Sequence, residues 1–271
     1  MSFYTSLTGL KNAQTDLNVI SNNIANAETG GFKKSDTAFA DIVTNSVFSD
    51  SSTTVGIGAR VAAVKQNFSL GPIDQTGNAL DVVINGDGFF TVDSPTSGQT
   101  EYTRAGAFSI DGQGFIKNAQ GSRLQVFPVD ATGAVTSTTT LQDAQLPQTN
   151  AAGSIFAGVS IGDRGQVVAT YADGSNTTVG VVALASFLAP NGLKQMGNAS
   201  WTSTGNSGAA SYGEPKTGLY GSMLSGSLER SNVDIAEELV SLITAQRNFQ
   251  ANAKAIDTAS QISQTVINLR T

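Results

Sequence analysis

The chain has 271 residues, 39% of them apolar, and 15 basic against 21 acidic side chains give a net charge near −6. A mildly acidic chain with no basic cluster is a poor nucleic-acid binder, because that affinity comes mainly from neutralising phosphates, and no apolar run approaches the roughly 18 residues of a membrane span. Cysteine and histidine are both absent, which excludes thiol nucleophiles, zinc sites built on those ligands, Ser-His-Asp triads and imidazole acid–base catalysis.

The chain opens with a helical pattern interrupted only by Gly9. Phe3, Leu10, Leu17 and Ile24 recur every seven residues, with Leu7 completing one heptad. A stripe this narrow is a seam for a partner helix rather than the inside of a globule. The opening residues lack the basic and apolar regions of a secretory signal. Asn22, Asn23 and Asn26, then Gly30-Gly31, are expected to end this helix, because glycine supplies the left-handed conformation that closes one. Residues 32–48 are ambiguous, with Phe39, Ile42 and Val43 in partial helical spacing, and the Ser-rich residues 49–54 read as a loop.

From Val55 the period changes to two. Residues 62–64, 80–84, 89–92, 102–110, 115–117, 124–129, 159–161, 167–171 and 179–187 read as short strands. Turn signals at Asn85-Gly86, Asp87-Gly88, Asp111-Gly112, Asn118, Asp130, Asp163 and Asp173-Gly174 punctuate them. The glycine pairs around Ile57 and Asp87 lack the third glycine or the Gly-Lys-Ser/Thr ending of a phosphate loop. The Asp-Gly pairs lack EF-hand spacing. Residues 132–154, rich in Thr, Ala and Gln, look like a loop or the stump of an insertion, and residues 192–221 are a Gly/Ser/Asn-rich return.

The last segment, free of Gly and Pro from Asn232 onwards, reads as one helix, capped by Ser231 with Asp234 three residues later. Ile235, Leu242, Phe249 and Ile256 form its seam, Ile262, Val266 and Leu269 continue it with a phase shift, and Leu239 opens a second line that turns polar or small at Gln246, Ala253 and Ser260. These residues are expected to pack between subunits, because their uncharged polar neighbours can be buried through hydrogen bonds without the cost of burying charge.

Both ends carry recognisable motifs. Ser6-Leu7-Thr8-Gly9-Leu10 and the run from Asn22-Asn23-Ile24-Ala25-Asn26 through Gly30-Gly31-Phe32-Lys33 resemble the N-terminal signature of bacterial flagellar rod and hook proteins. Ser231-Asn232-Val233-Asp234 and Ala245-Gln246-Arg247-Asn248-Phe249 resemble their C-terminal signature. Gly86-Asp87-Gly88-Phe89-Phe90 and Tyr102-Thr103-Arg104-Ala105-Gly106 fit the same family. Asn26, Gly30, Gly31, Phe32, Asn232, Gln246 and Arg247 are the motif positions. Pro190-Asn191-Gly192-Leu193 and Gly197-Asn198-Ala199-Ser200-Trp201 are most similar to hook proteins, whereas the length matches a distal rod protein.

The expected fold is α+β: residues 1–31 and 231–271 as a terminal helical assembly domain, 32–54 and 222–230 as connections, and 55–221 as a mainly antiparallel β-domain. The resemblance implies a structural, non-enzymatic subunit of the flagellar axis, foremost the hook, with the distal rod as alternative. It implies export through the flagellar apparatus without a cleaved signal and assembly under a hook cap into a helical homopolymer outside the cell. Rod and hook–filament junction proteins are the implied neighbours, with no cofactor, metal, nucleic acid or membrane insertion. The competing class, a β-scaffold enzyme or carbohydrate-binding module, leaves the terminal seams without a purpose.

Overall fold

A computed structural model describes residues 2–43, 56–94, 98–130 and 132–268. The chain forms two compact units, residues 1–27, 34–67 and 233–271 in one and residues 28–33 and 68–232 in the other. Two helices and a mainly antiparallel β-structure make the fold α+β.

The first unit holds α1 (Ser2–Ala25), β1 (Ser35–Val43), β2 (Gly56–Gln66) and, at the other end of the chain, the long helix α2 (Ile235–Asn268). The ambiguous stretch after α1 is therefore a strand: β1 pairs antiparallel with β2 from Ser35↔Gln66 to Val43↔Gly56. The β-structure anticipated from residue 55 thus begins with a hairpin arm that belongs to the helical unit. It packs there because β2 lies close against α1, where a Cβ on Gly58 would come within 2.5 Å of Thr8 Oγ1. The expected loop at residues 49–54 and the last seam residue, Leu269, lie outside the described residues. α1 stops at Ala25, where Asn26 Nδ2 donates to the Asn22 carbonyl. α2 starts at Ile235, so its cap is Asp234 rather than Ser231. Asp234 Oδ1 accepts from the Ala236 and Glu237 amides at 2.8 and 3.3 Å, satisfying donors that the first turn leaves orphaned.

The second unit contains β3 (Ile73–Gln75), β4 (Val82–Asn85), β5 (Phe89–Asp93), β6 (Thr100–Thr103), β7 (Ser109–Ile110), β8 (Ile116–Lys117), β9 (Arg123–Phe127) and β10 (Gln142–Asp143). It continues with β11 (Phe156–Ile161), β12 (Gln166–Tyr171), β13 (Asn176–Val182), β14 (Leu184–Ser186), β15 (Lys194–Gly197), β16 (Ser200–Thr202), β17 (Ser211–Gly213), β18 (Ser222–Ser225) and β19 (Ser227–Glu229). The main sheet runs β11-β12-β13-β9-β5-β6-β16-β15, all antiparallel, while β18 pairs with β4 and β19 with β3. The return at 192–221 is thus built of strands as well as glycines. Residues 132–154 hold β10, and Ala144 and Leu146 are buried in the core.

The period-two pattern has a direct consequence. Alternate residues of one strand face opposite sides of the sheet, so β5 and β14 each feed two cores. Phe90, Val92 and Leu184 join Val82, Ile84, Leu124 and Val126 in the larger one. Phe89 and Ala185 join Tyr102, Phe187 and Trp201 in the smaller one. There the rings of Phe89 and Trp201 meet edge to face, 5.7 Å apart.

One turn recurs four times. Asp111, Asn118, Asp130 and Asn150 each accept, through Oδ1, the amides two and four residues on. The residue three on is always glycine, Gly114, Gly121, Gly133 and Gly153, with φ between 83° and 86°. This is the hairpin in which the last loop residue takes the left-handed conformation. The glycine that matters after Asp111 is therefore Gly114, not the adjacent Gly112. Backbone donation from Phe115, helped by Gln113, holds the Asp111 carboxyl below the usual carboxylate range.

Candidate assembly surfaces

α1 and α2 run antiparallel. A Cβ on Gly9 would meet Asn252 Oδ1 at 2.5 Å, and Asn23 Nδ2 donates to Glu238 Oε2 at 3.2 Å. The two pairs are fourteen residues apart on each helix, so Ser2 falls opposite Ala259. On α1 the residues most deeply covered are Asn23, Ile20 and Ala13, at 1, 6 and 7% exposure, and Ala27, just past its end, is 5% exposed. The predicted line beside them, Leu7, Leu10, Leu17 and Ile24, is half-buried, and Phe3 is exposed. On α2 the covered line runs Glu238, Leu242, Ala245, Phe249, Asn252, Ile256 and Ala259, so Leu242, Phe249 and Ile256 are half-buried within the chain itself.

Among the described residues, a second apolar stripe on α2 is left largely open. Ile235, Leu239, Val240 and Ile243 are 44, 46, 66 and 50% exposed. Ile262, Val266 and Ile267 at the far end are 60, 59 and 64% exposed. Val240, Ile243 and Ile267 escaped the seven-residue count because they sit off its line. Val240 and Ile243 carry the signal of standing three residues apart, with Ile243 also four from Leu239; Ile267 directly follows Val266 and carries no such spacing.

A polar knot fixes the helix pair. Asn23, 1% exposed, donates to the Ser35 carbonyl at 2.9 Å and receives the Ser35 amide at 3.0 Å. Lys34 reaches Glu238 Oε1 at 3.1 Å. Burial opposes the Lys34 charge, but the hydrogen bond it donates to Glu238 and the charges of Glu238, Asp36 and Glu237 outweigh it and raise its pKa.

Of the motif residues, Gly30, Gly31, Phe32 and Asn232 belong to the β unit. Gly31 has φ +71°, and a Cβ there would come within 2.5 Å of the Ala105 amide nitrogen. Phe32 is buried, Gly30 is exposed, and Asn232 Nδ2 donates to Ser69 Oγ at 3.1 Å. The residue that follows, Lys33, is fully buried. Its ammonium donates to Glu229 Oε1 at 2.5 Å and to the Ser69 carbonyl at 2.7 Å. Glu229 Oε1 also accepts the Gly71 amide, and Glu229 Oε2 faces Arg104 Nη1 at 3.7 Å. Burial lowers the pKa of Lys33 and of Arg104, against the pull of Glu229 on both. Gln246 and Arg247 are exposed on α2, and Asn26 is half-buried at the end of α1. The sequence pattern did not single out this buried Lys–Glu–Arg group. Lys33 and Arg104 fall inside the motif stretches, but Glu229 lies two residues before the nearest one, Ser231-Asn232-Val233-Asp234.

Among the described residues no group of three or more acidic side chains is arranged to hold a metal ion, and no helix is long and apolar enough to cross a membrane. A helix pair closed on one side and apolar on another, in a chain with a β unit of its own, defines a structural subunit made for association. Comparison with known proteins agrees. Three family models match: "Flagella basal body rod protein" at residues 3–33, "Flagellar hook protein FlgE/F/G D1 domain" at 83–169 and "Flagellar basal body rod FlgEFG protein C-terminal" at 224–269. The chain is 35% identical to the flagellar basal-body rod protein FlgG of Bacillus subtilis, over 99% of this chain and 98% of that one. It is 33% identical to FlgG of Agrobacterium fabrum, over 96 and 95%. It is 28% identical to the flagellar hook protein FlgE of Escherichia coli over the whole of both chains, in an alignment of 411 positions. The chain belongs to the flagellar hook and basal-body rod protein family, and is a structural subunit of the flagellar axis.

Proposed function

We propose that this chain is a hook subunit, which polymerises through its terminal helices into a tube outside the cell and transmits torque without catalysing a reaction. The observation that carries self-assembly is the uncovered stripe of Ile235, Leu239, Val240 and Ile243. Four large apolar side chains in line on a helix already paired along another side are best buried by further copies. Export through the flagellar apparatus and growth beneath a cap follow from that reading. Junction proteins of rod and filament are the neighbours at the two ends of the polymer.

The hook is favoured over the rod by the segment around Trp201, the part of the chain most similar to hook proteins, which is the centre of the smaller core. The distal rod is the second reading. It is favoured by the end-to-end match to FlgG over 280 positions, whereas the hook protein of Escherichia coli needs 411. An epitope inserted after the exposed Thr139 and located by immuno-electron microscopy separates them. Label on the external curved segment is expected. Label confined to the periplasm-spanning rod replaces the hook with the rod.

A further inference from the structure

Arg104 is the member of the buried Lys–Glu–Arg group whose hydrogen bonds the group leaves unmade. Glu229 Oε1 takes the Lys33 ammonium at 2.5 Å and the Gly71 amide at 2.9 Å, while Oε2 stands 3.7 Å from Arg104 Nη1, beyond hydrogen-bond reach. The contact of Nη1 with the Ile84 carbonyl is long, at 3.5 Å. Among the described residues Arg104 Nε has no hydrogen-bond partner, although the residue is only 3% exposed. Two cations and one anion leave the group a surplus positive charge, and a guanidinium does not shed its proton to relieve it. Arg104 also forms part of the wall of a cavity of about 270 Å³, whose lining lies wholly within the β unit. Phe68, Phe89 and Phe187 make that wall aromatic, with the Phe89 ring 5.3 Å from the guanidinium carbon. A cavity of this size falls below the range for drug-sized ligands and cofactors, and takes one or two side chains. Leu219, another lining residue, is 83% exposed, and Leu188, next in the chain to Phe187, is 98% exposed. A ligand sunk wholly in the cavity leaves Leu219 wet, whereas a peptide laid across the opening covers it.

We propose that this cavity receives an extended peptide of a partner protein, with an apolar side chain seated against Phe89 and Phe187 and a carboxylate on the next residue accepting from Arg104 Nε. The aromatic wall selects the first contact. The surplus charge selects an anion for the second, because a charge-assisted hydrogen bond to a buried guanidinium removes both the unpaired donor and the unbalanced charge. The exposed carboxylate of Asp87, in the same wall, acts on Arg104 only through its charge. Solvent screens it, so a carboxylate brought into the cavity outcompetes it. No lining residue belongs to the helical unit, so the peptide site stands whether the subunit builds hook or rod.

Two capped peptides, acetyl-Gly-Ser-Leu-Asp-Ser-Gly-amide and its Asn counterpart, are titrated into the isotope-labelled full chain. Nuclear magnetic resonance follows the Arg104 Nε–H signal, assigned by its loss in Arg104→Met. Fluorescence of Trp201, whose ring lies 5.7 Å from that of Phe89, gives the affinity. The Nε–H signal is expected to move downfield as its hydrogen bond forms, and the Asp peptide to bind at least about tenfold tighter than the Asn peptide. Leu219→Ser, at a side chain too exposed to matter for folding, should weaken the Asp peptide severalfold. Asp87→Asn should tighten the Asp peptide and leave the Asn peptide unchanged. Equal binding of the two peptides, or a bound state in which the Nε–H signal has not moved, overturns the proposal. Binding of neither peptide at about 1 mM overturns it as well. A signal that shifts with protein concentration alone means that a second copy fills the cavity, which is equally an overturning result.

Discussion

Removing the carboxylate of Glu229 is expected to be among the costliest single changes in the β unit. Lys33 and Glu229 side chains are fully buried and Arg104 nearly so. Glu229→Gln keeps the volume and the shape but leaves two cations facing a neutral amide in a region closed to water. Stripping one partner from a buried ion pair costs about 3–5 kcal/mol, because the remaining charge keeps its desolvation penalty and loses its compensation. Here two charges are stranded, so Glu229→Gln belongs at the upper end of that range. Lys33→Met strands only Glu229, which still accepts the Gly71 amide at 2.9 Å and faces Arg104 at 3.7 Å. It belongs at the lower end.

The assay is provided by the protein. Its one tryptophan, Trp201, is fully buried in the β unit, so its fluorescence in urea reports the unfolding of that unit. With a slope of about 2 kcal/mol per molar, a loss of about 4 kcal/mol lowers the midpoint by about 2 M. In the Lys33→Met/Glu229→Gln double variant the two costs should fall short of their sum by at least about 1 kcal/mol, the mark of groups in one network. A loss below about 1 kcal/mol for Glu229→Gln refutes the reasoning, as does a Lys33→Met variant less stable than Glu229→Gln. Either result means that water or a shifted proton already neutralises the group.

Three other outcomes are expected. Gly121→Ala should cost about 1–2 kcal/mol by urea midpoint, since the site has open space but φ +86°, while Gly112→Ala, with open space and no left-handed φ, should be nearly neutral. Val240→Asp places a charge on a side chain 66% exposed in the chain; Trp201 fluorescence and helicity should be unchanged, but electron microscopy should find no axial structure containing it. Lys34 has a raised pKa in the folded state, so its contribution is complete below the ordinary lysine value of 10.5 and is lost as the pH rises through the folded value above it. Far-ultraviolet circular dichroism should show the helix pair loosening in that alkaline window, and Lys34→Arg, which stays charged there, should abolish the change.

Strand content was legible where short apolar stretches stood between turn signals. The stretches around Val82, Phe89, Leu124 and Val167 lie in β4, β5, β9 and β12; β12 alternates because one face is buried, while β4, β5 and β9 carry apolar residues on both faces because both are covered. Three kinds of information were not legible. β1 was hidden because its outward residues include Phe39 and Val43, 47 and 49% exposed, which mimic helical spacing. The strands after residue 192 were hidden because glycine, serine and asparagine carry no periodic signal, and only Trp201 marks the core they build. The buried group of Lys33, Arg104 and Glu229 depends on three distant segments meeting, and no local pattern records that.

The terminal helices show most clearly what a seven-residue stripe can and cannot say. On α1 the large residues Leu10, Leu17 and Ile24 announce a seam, yet the deepest burial falls at Ala13 and Ile20, three positions on from Leu10 and Leu17, and at Asn23, and the helices come closest at Gly9. The reason is geometric. Small residues such as Gly9 and Ala13 let the helix axes come together, and the leucines flank that line, half in contact and half free. A count of large residues therefore finds the interface but misplaces its centre line. The half-free leucines then have two uses, one flank packed within the chain and the other available to a neighbour. On α2 the same logic leaves Leu242, Phe249 and Ile256 half-covered, with Ile235, Leu239, Val240 and Ile243 bare beside them. Covering these flanks in a monomer would need a third helix. Supplying it from another copy makes burial of the stripe conditional on assembly, so the free energy of closing this interface is gained only when subunits meet.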